Sequence, residues 1–261
     1  MSEFPMLKSL FILLIFITSL EAVKYIAANE VGLRPGIAGN IQASINNQRG
    51  NTDKDEYDAS ARISYDNNRT YVTWLEFSYA YGQASGIENE NKAFLHYRFL
   101  HTLFSNEWNW EVYAQNEGDD FRQIKRRLLG GGGVRYRIYQ SESFGRVYVG
   151  VGAYYEYLNY LDIKVDPKEY NPRLNSYLMY TKKFGKDARI SLASYYQPKM
   201  NDWKDHYLYN SASLLVYVYG SIYLKMSLSY AYDTQPAVGV EEQDMQQLSS
   251  IGWKFGAKSN R

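Results

Sequence analysis

The chain has 261 residues, with 29 lysines and arginines against 28 aspartates and glutamates and a net charge of +1. This balance excludes a general electrostatic attraction to nucleic acid or to an acidic partner. The sequence contains no cysteine, which excludes disulfides and thiolate metal sites. Its most unusual feature is its 27 tyrosines. Tyrosine favours β-strands, and its apolar ring with a polar hydroxyl suits a membrane–water boundary.

One continuous apolar run occupies residues 10–20 (LFILLIFITSL). Its length of about eleven residues is too short for a transmembrane helix but matches the core of a signal peptide. Lys8 supplies the positive flank expected before such a core. We therefore predict a signal peptide over residues 1–22, with cleavage as late as residue 28 as the alternative, and an exported mature protein.

The clearest strand pattern lies in the segment Arg126–Tyr157. In its second half, Val147, Val149, Val151, Ala153, Tyr155 and Tyr157 alternate with Tyr148, Gly150, Gly152, Tyr154 and Glu156. Strict period-two alternation is typical of strands whose two faces meet different environments. The polar residues 140–145 fit the connection of a hairpin. Each strand has about ten residues, the length that crosses a bilayer when tilted, and the apolar face ends in aromatics, as on a membrane barrel.

The same alternation recurs along the chain and predicts twelve strands. They are Ile37–Asn47, Tyr57–Tyr65, Thr70–Tyr81, Ala93–Leu103, Glu107–Gln115, the two strands of the hairpin just described, Leu174–Lys182, Ala188–Tyr196, Tyr207–Tyr219, Ile222–Tyr232 and Met245–Phe255. The links between them alternate between long, mostly acidic segments and short ones, which is typical of an even-stranded outer-membrane barrel. We predict an all-β fold, a single transmembrane antiparallel up-and-down β-barrel over residues 36–256, followed by a short polar tail over residues 257–261.

This topology predicts where the protein resides and what it meets there. Both termini would be periplasmic and the long loops extracellular. The predicted location is the outer membrane of a Gram-negative cell. The predicted partners are the lipid bilayer with its lipopolysaccharide, the barrel-assembly machinery and small solutes. A soluble sandwich has no reason to alternate long and short links, and a soluble barrel would place its apolar faces inward.

Two segments resemble a known family. FRQIKRRLLGGGGVRYRI (Phe121–Ile138) is similar to that family's pattern of an aromatic, a basic residue, Leu-Leu-Gly and then Gly-x-Gly-Tyr-Arg. The segment Leu228–Phe255 is similar to its Tyr-x-Tyr-Asp-x-x-Pro, an acidic loop with a final Asp, and a closing strand ending in an aromatic pair. The triplet RGN at residues 49–51 also fits. The family is that of the salt-induced outer membrane proteins, the YdiY-like domain of unknown function.

The resemblance covers roughly residues 36–255 and implies an outer-membrane barrel and very little about activity. In that family the last strand usually ends the chain in a terminal aromatic, which the barrel-assembly machinery reads. In this chain residues 256–261 follow Phe255. This departure weakens the assembly signal.

Few residues in the chain favour catalysis. It has three histidines, and a lipase-type site would need a serine beside one of them. Ser211 and Ser213 lack an evident base. A barrel protease would use a histidine with paired carboxylates, for which His206 with Asp202 and Asp205 is the nearest candidate. An outer-membrane hydrolase is therefore the third interpretation, and we predict that the protein is not an enzyme.

The run of glycines at residues 130–133 does not fit a phosphate-binding loop, because no strand-to-helix transition and no Lys-Ser/Thr pair follows it. Glycine within a strand more often marks a bend, a bulge or close packing. We predict no cofactor and no metal site.

Function is expected on the inner face of the barrel. The candidates for lining a pore are Arg62, Glu76, Arg98, Glu111, Arg127, Arg135, Arg137, Glu156, Arg189 and Lys225. In one interpretation the basic residues line a narrow aqueous lumen and favour small anionic solutes, because rings of Arg or Lys select anions. In the other, Arg and Glu pair across the interior and leave a closed structural or ligand-binding barrel of the envelope. We favour a narrow passive channel related to envelope or salt stress.

Overall fold

The computed structural model describes residues 30–48, 53–161 and 168–256. The predicted signal peptide and the predicted tail lie outside these described residues. Twelve strands follow one another along the described chain: β1 (Gly36–Gln48), β2 (Lys54–Asp66), β3 (Tyr71–Ala84), β4 (Ile87–Thr102), β5 (Trp108–Asp119), β6 (Ile124–Ser141), β7 (Gly145–Tyr160), β8 (Lys168–Phe184), β9 (Ala188–Lys199), β10 (Asp202–Tyr219), β11 (Ile222–Asp233) and β12 (Gln243–Gly256).

Each strand pairs antiparallel with the next one in sequence, and β1 pairs with β12 to close the sheet. The closing pair runs from Ala38 opposite Gly256 to Ala43 opposite Ile251. Closure removes the exposed edges that an open sheet would present. The predicted all-β, antiparallel up-and-down barrel of about twelve strands is confirmed. Among the described residues, no helix is long and apolar enough to cross a membrane.

The links between strands lie at two ends of the barrel, which we call the turn end and the loop end. The turn end carries the start of β1, the end of β12 and the links at residues 67–70, 103–107, 142–144, 185–187 and 220–221. The loop end carries the links at residues 85–86, 120–123, 200–201 and 234–242, and there β1 and β7 end and β2 and β8 begin. Most loop-end links are shorter than predicted, because the strands continue into segments expected as loops. The β3–β4 hairpin closes through Ser85 and Gly86 at φ 51° and 79°, which suits the twist of paired strands.

The outer face of the barrel is apolar and the inner face is polar. Exposed apolar side chains occur on every strand, for example Ile41, Ile63, Leu75, Leu95, Val112, Val134, Val151, Leu178, Leu192, Leu214, Leu224 and Ile251. Buried arginines, glutamates, asparagines and tyrosines occupy the inside. A water-soluble barrel has the opposite arrangement.

Aromatic rings form two belts on the outer face, one near each end. The turn-end belt contains Tyr65, Tyr71, Phe99, His101, Trp108, Trp110, Tyr136, Tyr139, Phe144, Tyr180, Trp253 and Phe255. The loop-end belt contains Tyr155, Tyr157, Tyr170, Tyr196, His206 and Tyr232. Rings at both borders of an apolar band are typical of membrane-spanning barrels.

Glycines on the inner face allow close packing of the wall. Tyr177 lies opposite Gly150 on the neighbouring strand, and its ring occupies the place where a Cβ at Gly150 would be. In the glycine run, a Cβ at the inward-facing Gly133 would lie 2.5 Å from the carbonyl oxygen of Val151. The run therefore marks close packing between strands, one of the roles predicted for it.

The Gly150→Ala variant should lower the free energy of unfolding by about 1–3 kcal/mol, because the added methyl group would displace the Tyr177 ring. Urea unfolding of the refolded protein in lipid vesicles would measure this loss. Gly130→Ala is the matched control, since a Cβ at Gly130 would have no other atom within 4 Å. Equal stability of the two variants would contradict the prediction.

Candidate functional site

The interior of the barrel is divided into a filled half and an open half. The filled half lies mainly against β4–β9 and holds large aromatic and charged side chains. The open half lies along β1–β3 and β10–β12, whose inner faces carry many serines and alanines with scattered charged residues. The division follows from side-chain size, because large side chains fill the interior along one wall and small side chains leave it open along the other.

Glu156 is the centre of an ion-pair network in the filled half. Its carboxylate is fully buried and accepts hydrogen bonds from the Nε atoms of Arg127 and Arg173. Arg173 also pairs with Asp205 at 2.7 Å, and Arg127 pairs with Glu117 at 3.1 Å. A charge buried this deeply is stable only when opposite charges and hydrogen bonds surround it. The network therefore closes this part of the interior.

A second set of polar contacts crosses the interior between β5 and β8. Glu111 accepts a hydrogen bond from the Tyr177 hydroxyl at 2.8 Å and pairs with Arg98 at 3.5 Å. The hydroxyl of Tyr113 accepts a hydrogen bond from the Asn175 amide at 2.9 Å. Because β6 and β7 separate these strands in the sheet, the contacts connect distant parts of the wall and fill the space between them.

Two cavities lie end to end along the open half. The turn-end cavity has a volume of about 130 Å³ and includes Arg34, Ala38 and Lys254 in its lining. The loop-end cavity has a volume of about 90 Å³ and includes Ser44 and Lys92. Both are lined by Gln42, Ser60, Glu76, Ser213 and Lys225. The two cavities meet at the level of these shared residues, and we call the continuous space the open groove.

The open groove is polar, and it contains a buried hydroxyl that has no hydrogen-bond partner among the described residues. Ser211 lines the loop-end cavity, and its Oγ makes no hydrogen bond to any of the described residues. Buried polar groups that lack a protein partner are normally satisfied by water or by a bound molecule. The groove is therefore suited to hydrated solutes.

The charge of the open groove changes along its length. Five cations line the turn-end cavity, namely Arg34, Arg62, Arg189, Lys225 and Lys254. Among the described lining residues the one carboxylate is Glu76, which pairs with Arg62 at 2.9 Å, so the formal net charge of the lining is +4 when every lysine and arginine is counted as protonated. The loop-end cavity balances two cations, Lys92 and Lys225, against two carboxylates, Asp58 and Glu76. The positive potential is concentrated at the turn end.

Residues 30–35, which we call the strap, cross the turn-end mouth of the barrel. Glu30 pairs with Arg137 at 2.9 Å and with Arg146 at 2.6 Å, and it accepts a hydrogen bond from the Tyr148 hydroxyl. Burial by itself would raise the pKa of the Glu30 carboxyl, but Arg146, the Tyr148 hydroxyl and Arg137 outweigh burial and hold the pKa below its ordinary value. Glu30 is therefore ionised at neutral pH.

The other side of the strap is held by β2, β3 and β4. The backbone N–H groups of Gly32 and Arg34 donate hydrogen bonds to the Asp66 carboxylate at 3.0 and 3.1 Å. Val31 packs against a buried apolar cluster formed by β3 and β4. Because β2 and β7 lie almost opposite each other in the closed sheet, the strap spans the mouth and places Arg34 in the lining of the turn-end cavity.

The residues predicted to line a pore lie in three different surroundings. Buried in the filled half are Arg98, Glu111, Arg127, Arg135 and Glu156. In the open groove are Arg62, Glu76, Arg189 and Lys225. Arg137 contacts the strap at the turn-end mouth. The prediction that these side chains face inward does not distinguish packed ones from those beside open space.

Two of the residues considered for a hydrolase, His206 and Asp205, are not brought together. Asp205 points inward and pairs with Arg173. The ring of His206 lies instead in the outer loop-end belt, 5.3 Å from the ring of Tyr196. Adjacent residues of a strand face opposite sides, so His206 and Asp205 are separated by the wall. Among the described residues, no group of three or more His, Cys, Asp or Glu is placed to hold a metal ion.

Sequence reasoning missed several interior charges. Arg173 and Asp205 precede the predicted starts of their strands, at Leu174 and Tyr207, so the prediction places them in loops. For Arg173 the sequence contains a usable signal, because it lies two positions before the inward-facing Asn175 and continues the same period-two pattern by one position. The strap has no periodic pattern, so its contact with the barrel had no sequence signal.

A closed twelve-stranded barrel with an apolar exterior and a charged, partly open interior is the class of protein that this fold and site define. The family model described as "Protein of unknown function, DUF481" matches residues 41–255. The chain therefore belongs to this family, which agrees with the resemblance found in the sequence. No curated protein matches the chain.

Several solved barrels are similar in outline. A NanC porin has a TM-score of 0.49 at 10% identity, covering 85% of this chain and 99% of that one. A KdgM porin has a TM-score of 0.43 at 10% identity, with coverage of 84% and 99%. The translocator domain of autotransporter NalP from Neisseria meningitidis has a TM-score of 0.44 at 11% identity, with coverage of 84% and 87%. Because these scores lie below 0.5, we transfer no property of these proteins to this chain.

The Glu156→Gln variant should lower the free energy of unfolding by about 3–5 kcal/mol, because it leaves Arg127 and Arg173 buried without their shared countercharge. Urea unfolding in lipid vesicles, followed by tryptophan fluorescence, would measure the loss. The exposed Glu88 provides the control, and Glu88→Gln should change stability by less than about 0.5 kcal/mol. A stability change for Glu156→Gln as small as that of the control would contradict the role of the network.

The strap should leave the turn-end mouth when the solution is acidified. The folded-state pKa of Glu30 is lowered, so its stabilising contribution is present above its unfolded pKa and is lost as the pH falls through the folded value. A spin label on Leu33→Cys would report the release as increased mobility, and the absence of native cysteine makes the labelling specific. In a Glu30→Gln background the mobility should already be high at neutral pH. If the spin label were equally mobile in the Glu30→Gln variant and in its parent at neutral pH, the proposed role of Glu30 in holding the strap would be contradicted.

Proposed function

We propose that this protein is an outer-membrane β-barrel that acts as a narrow passive channel for small anionic solutes. The membrane location is supported by the exterior, where apolar side chains surround the barrel between two aromatic belts. Such a surface would be unstable in water but is solvated by lipid. A signal peptide over residues 1–22 would export the chain, and the barrel-assembly machinery would insert it beside lipopolysaccharide.

In the proposed orientation the turn end faces the periplasm and the loop end faces the outside, because both termini of such barrels are periplasmic. The strap would then control the periplasmic mouth. The resemblance to the salt-induced family supports a role in the response of the envelope to salt stress.

The observation that carries the channel proposal is the open groove. It follows one wall of the barrel through residues of both cavities, and its lining is hydrophilic. The filled half restricts the lumen to this groove, so solutes would pass in single file beside serine hydroxyls. The net positive charge of the turn-end cavity favours anions, as basic pore linings do.

The alternative is a closed structural or ligand-binding barrel without pore activity. Two observations favour it, namely the buried ion pairs centred on Glu156 and the strap across the turn-end mouth. A hydrolytic function receives no support, because His206 and Asp205 lie on opposite sides of the wall. We therefore propose a non-enzymatic role in either case.

Single-channel recording in planar bilayers tests the proposal. The refolded mature protein should show discrete openings that favour anions. Ser60→Trp should reduce the conductance at least severalfold, because its indole would fill the level where the two cavities meet. Lys225→Glu should reduce the anion preference, because it removes a cation and adds an anion within the groove.

Ile63→Trp is the matched control for Ser60→Trp, because Ile63 lies on the same strand but faces outward. It should leave the conductance unchanged. A folded, heat-modifiable barrel that shows no openings would reject the channel and establish the closed alternative.

A further inference from the structure

We propose that the turn-end cavity is a binding site for a small oxyanion that carries two or more negative charges, such as inorganic phosphate, sulfate or a short dicarboxylate. This inference rests on the proposed function, because it names the class of anionic solute that would stop in the groove. Binding and conductance are separate measurements, so either proposal can fail without the other.

The first argument is the convergence of charge. The five cations of the cavity come from five separate segments, the strap, β2, β9, β11 and β12. Glu76 is the one carboxylate among the described lining residues, and it pairs with Arg62. Concentrating like charges in a partly buried space costs free energy. A multiply charged anion would offset most of this electrostatic cost. An anion of charge −1 would neutralise only one of the positive charges and leave most of the cost in place.

The second argument is the supply of hydrogen-bond donors. Lysine and arginine side chains offer several N–H donors each, and serine hydroxyls can add O–H donors. Ser60 and Ser213 line the cavity beside Lys225. Charge-assisted hydrogen bonds to oxyanion oxygens are the strong kind. Chloride cannot form as many directed bonds as the separate oxygens of an oxyanion, so the lining favours the oxyanion.

The third argument is size and enclosure. One water needs roughly 10–15 Å³ of cavity space, so a volume of about 130 Å³ admits a small oxyanion with a few waters. The strap limits the cavity on the turn-end side through Leu33 and Arg34. Lys254 is held in place by its hydrogen bond to the Tyr217 hydroxyl at 2.9 Å. The site is therefore partly formed before a ligand arrives.

Phosphate titration by isothermal calorimetry tests the site on the refolded protein in detergent, at a constant ionic strength maintained with sodium chloride. The wild type should show saturable binding at one site. Lys254→Gln and Arg34→Gln should each weaken phosphate binding about tenfold or more, the loss expected for a charged hydrogen bond. Arg34 lies in the strap and outside every strand, so Arg34→Gln should leave the barrel folded.

Lys186→Gln is the control variant, because Lys186 is exposed at the turn end and does not line the cavity. Its phosphate affinity should equal that of the wild type. Sulfate and malonate titrations would show which oxyanion binds best, and acetate should bind much more weakly than any of them. Folding of each variant would be checked by heat-modifiable migration.

Absence of saturable binding for all three oxyanions, or equal weakening by Lys186→Gln, would overturn the inference. Binding of acetate as tight as that of phosphate would also overturn it. Saturable phosphate binding by a barrel that shows no conductance would support the site and reject the channel. Anion-selective conductance without saturable binding would reject the site and leave the channel proposal standing.

Discussion

A closed sheet with an apolar exterior has only its interior and its two ends in which to place charged side chains. On the strands of this barrel the inward residues include many arginines and glutamates, and a buried charge is costly unless it is paired. Glu156 satisfies this constraint, because its fully buried carboxylate pairs with both Arg127 and Arg173. The arrangement of the rest of the interior depends on how far such pairing extends.

Pairing across the lumen is concentrated in one half of the barrel because side-chain volume differs between the walls. The strands of the filled half contribute tyrosines and arginines that reach across the interior, and glycines such as Gly150 make room for their rings. The strands of the open half contribute mainly serine and alanine, which cannot reach a partner across the lumen. The same constraint that stabilises one half therefore leaves a polar groove along the other.

The strap lies beside this groove at the turn-end mouth. At one end of the strap, Glu30 binds two arginines on the side of the filled half. At its other end, the backbone N–H of Gly32 binds Asp66 on the opposite side, so the short segment spans the mouth. Because Arg34 belongs both to the strap and to the lining of the turn-end cavity, release of the strap would change the charge and the opening of that cavity together. The proposed binding of a solute and its access to the groove would thus be linked through one segment.

The sequence by itself determined the barrel, its number of strands and the face on which most residues of the predicted strands lie, since a pleated strand alternates its side chains strictly. It placed Arg62 and Glu156 inside equally. It could not separate them, because alternation reports inside or outside and carries no information about which residues meet across the lumen. Only closure of the sheet decided that Tyr177 reaches Glu111 while Arg62 lines open space, because these contacts depend on the positions of strands that are not neighbours in the sheet.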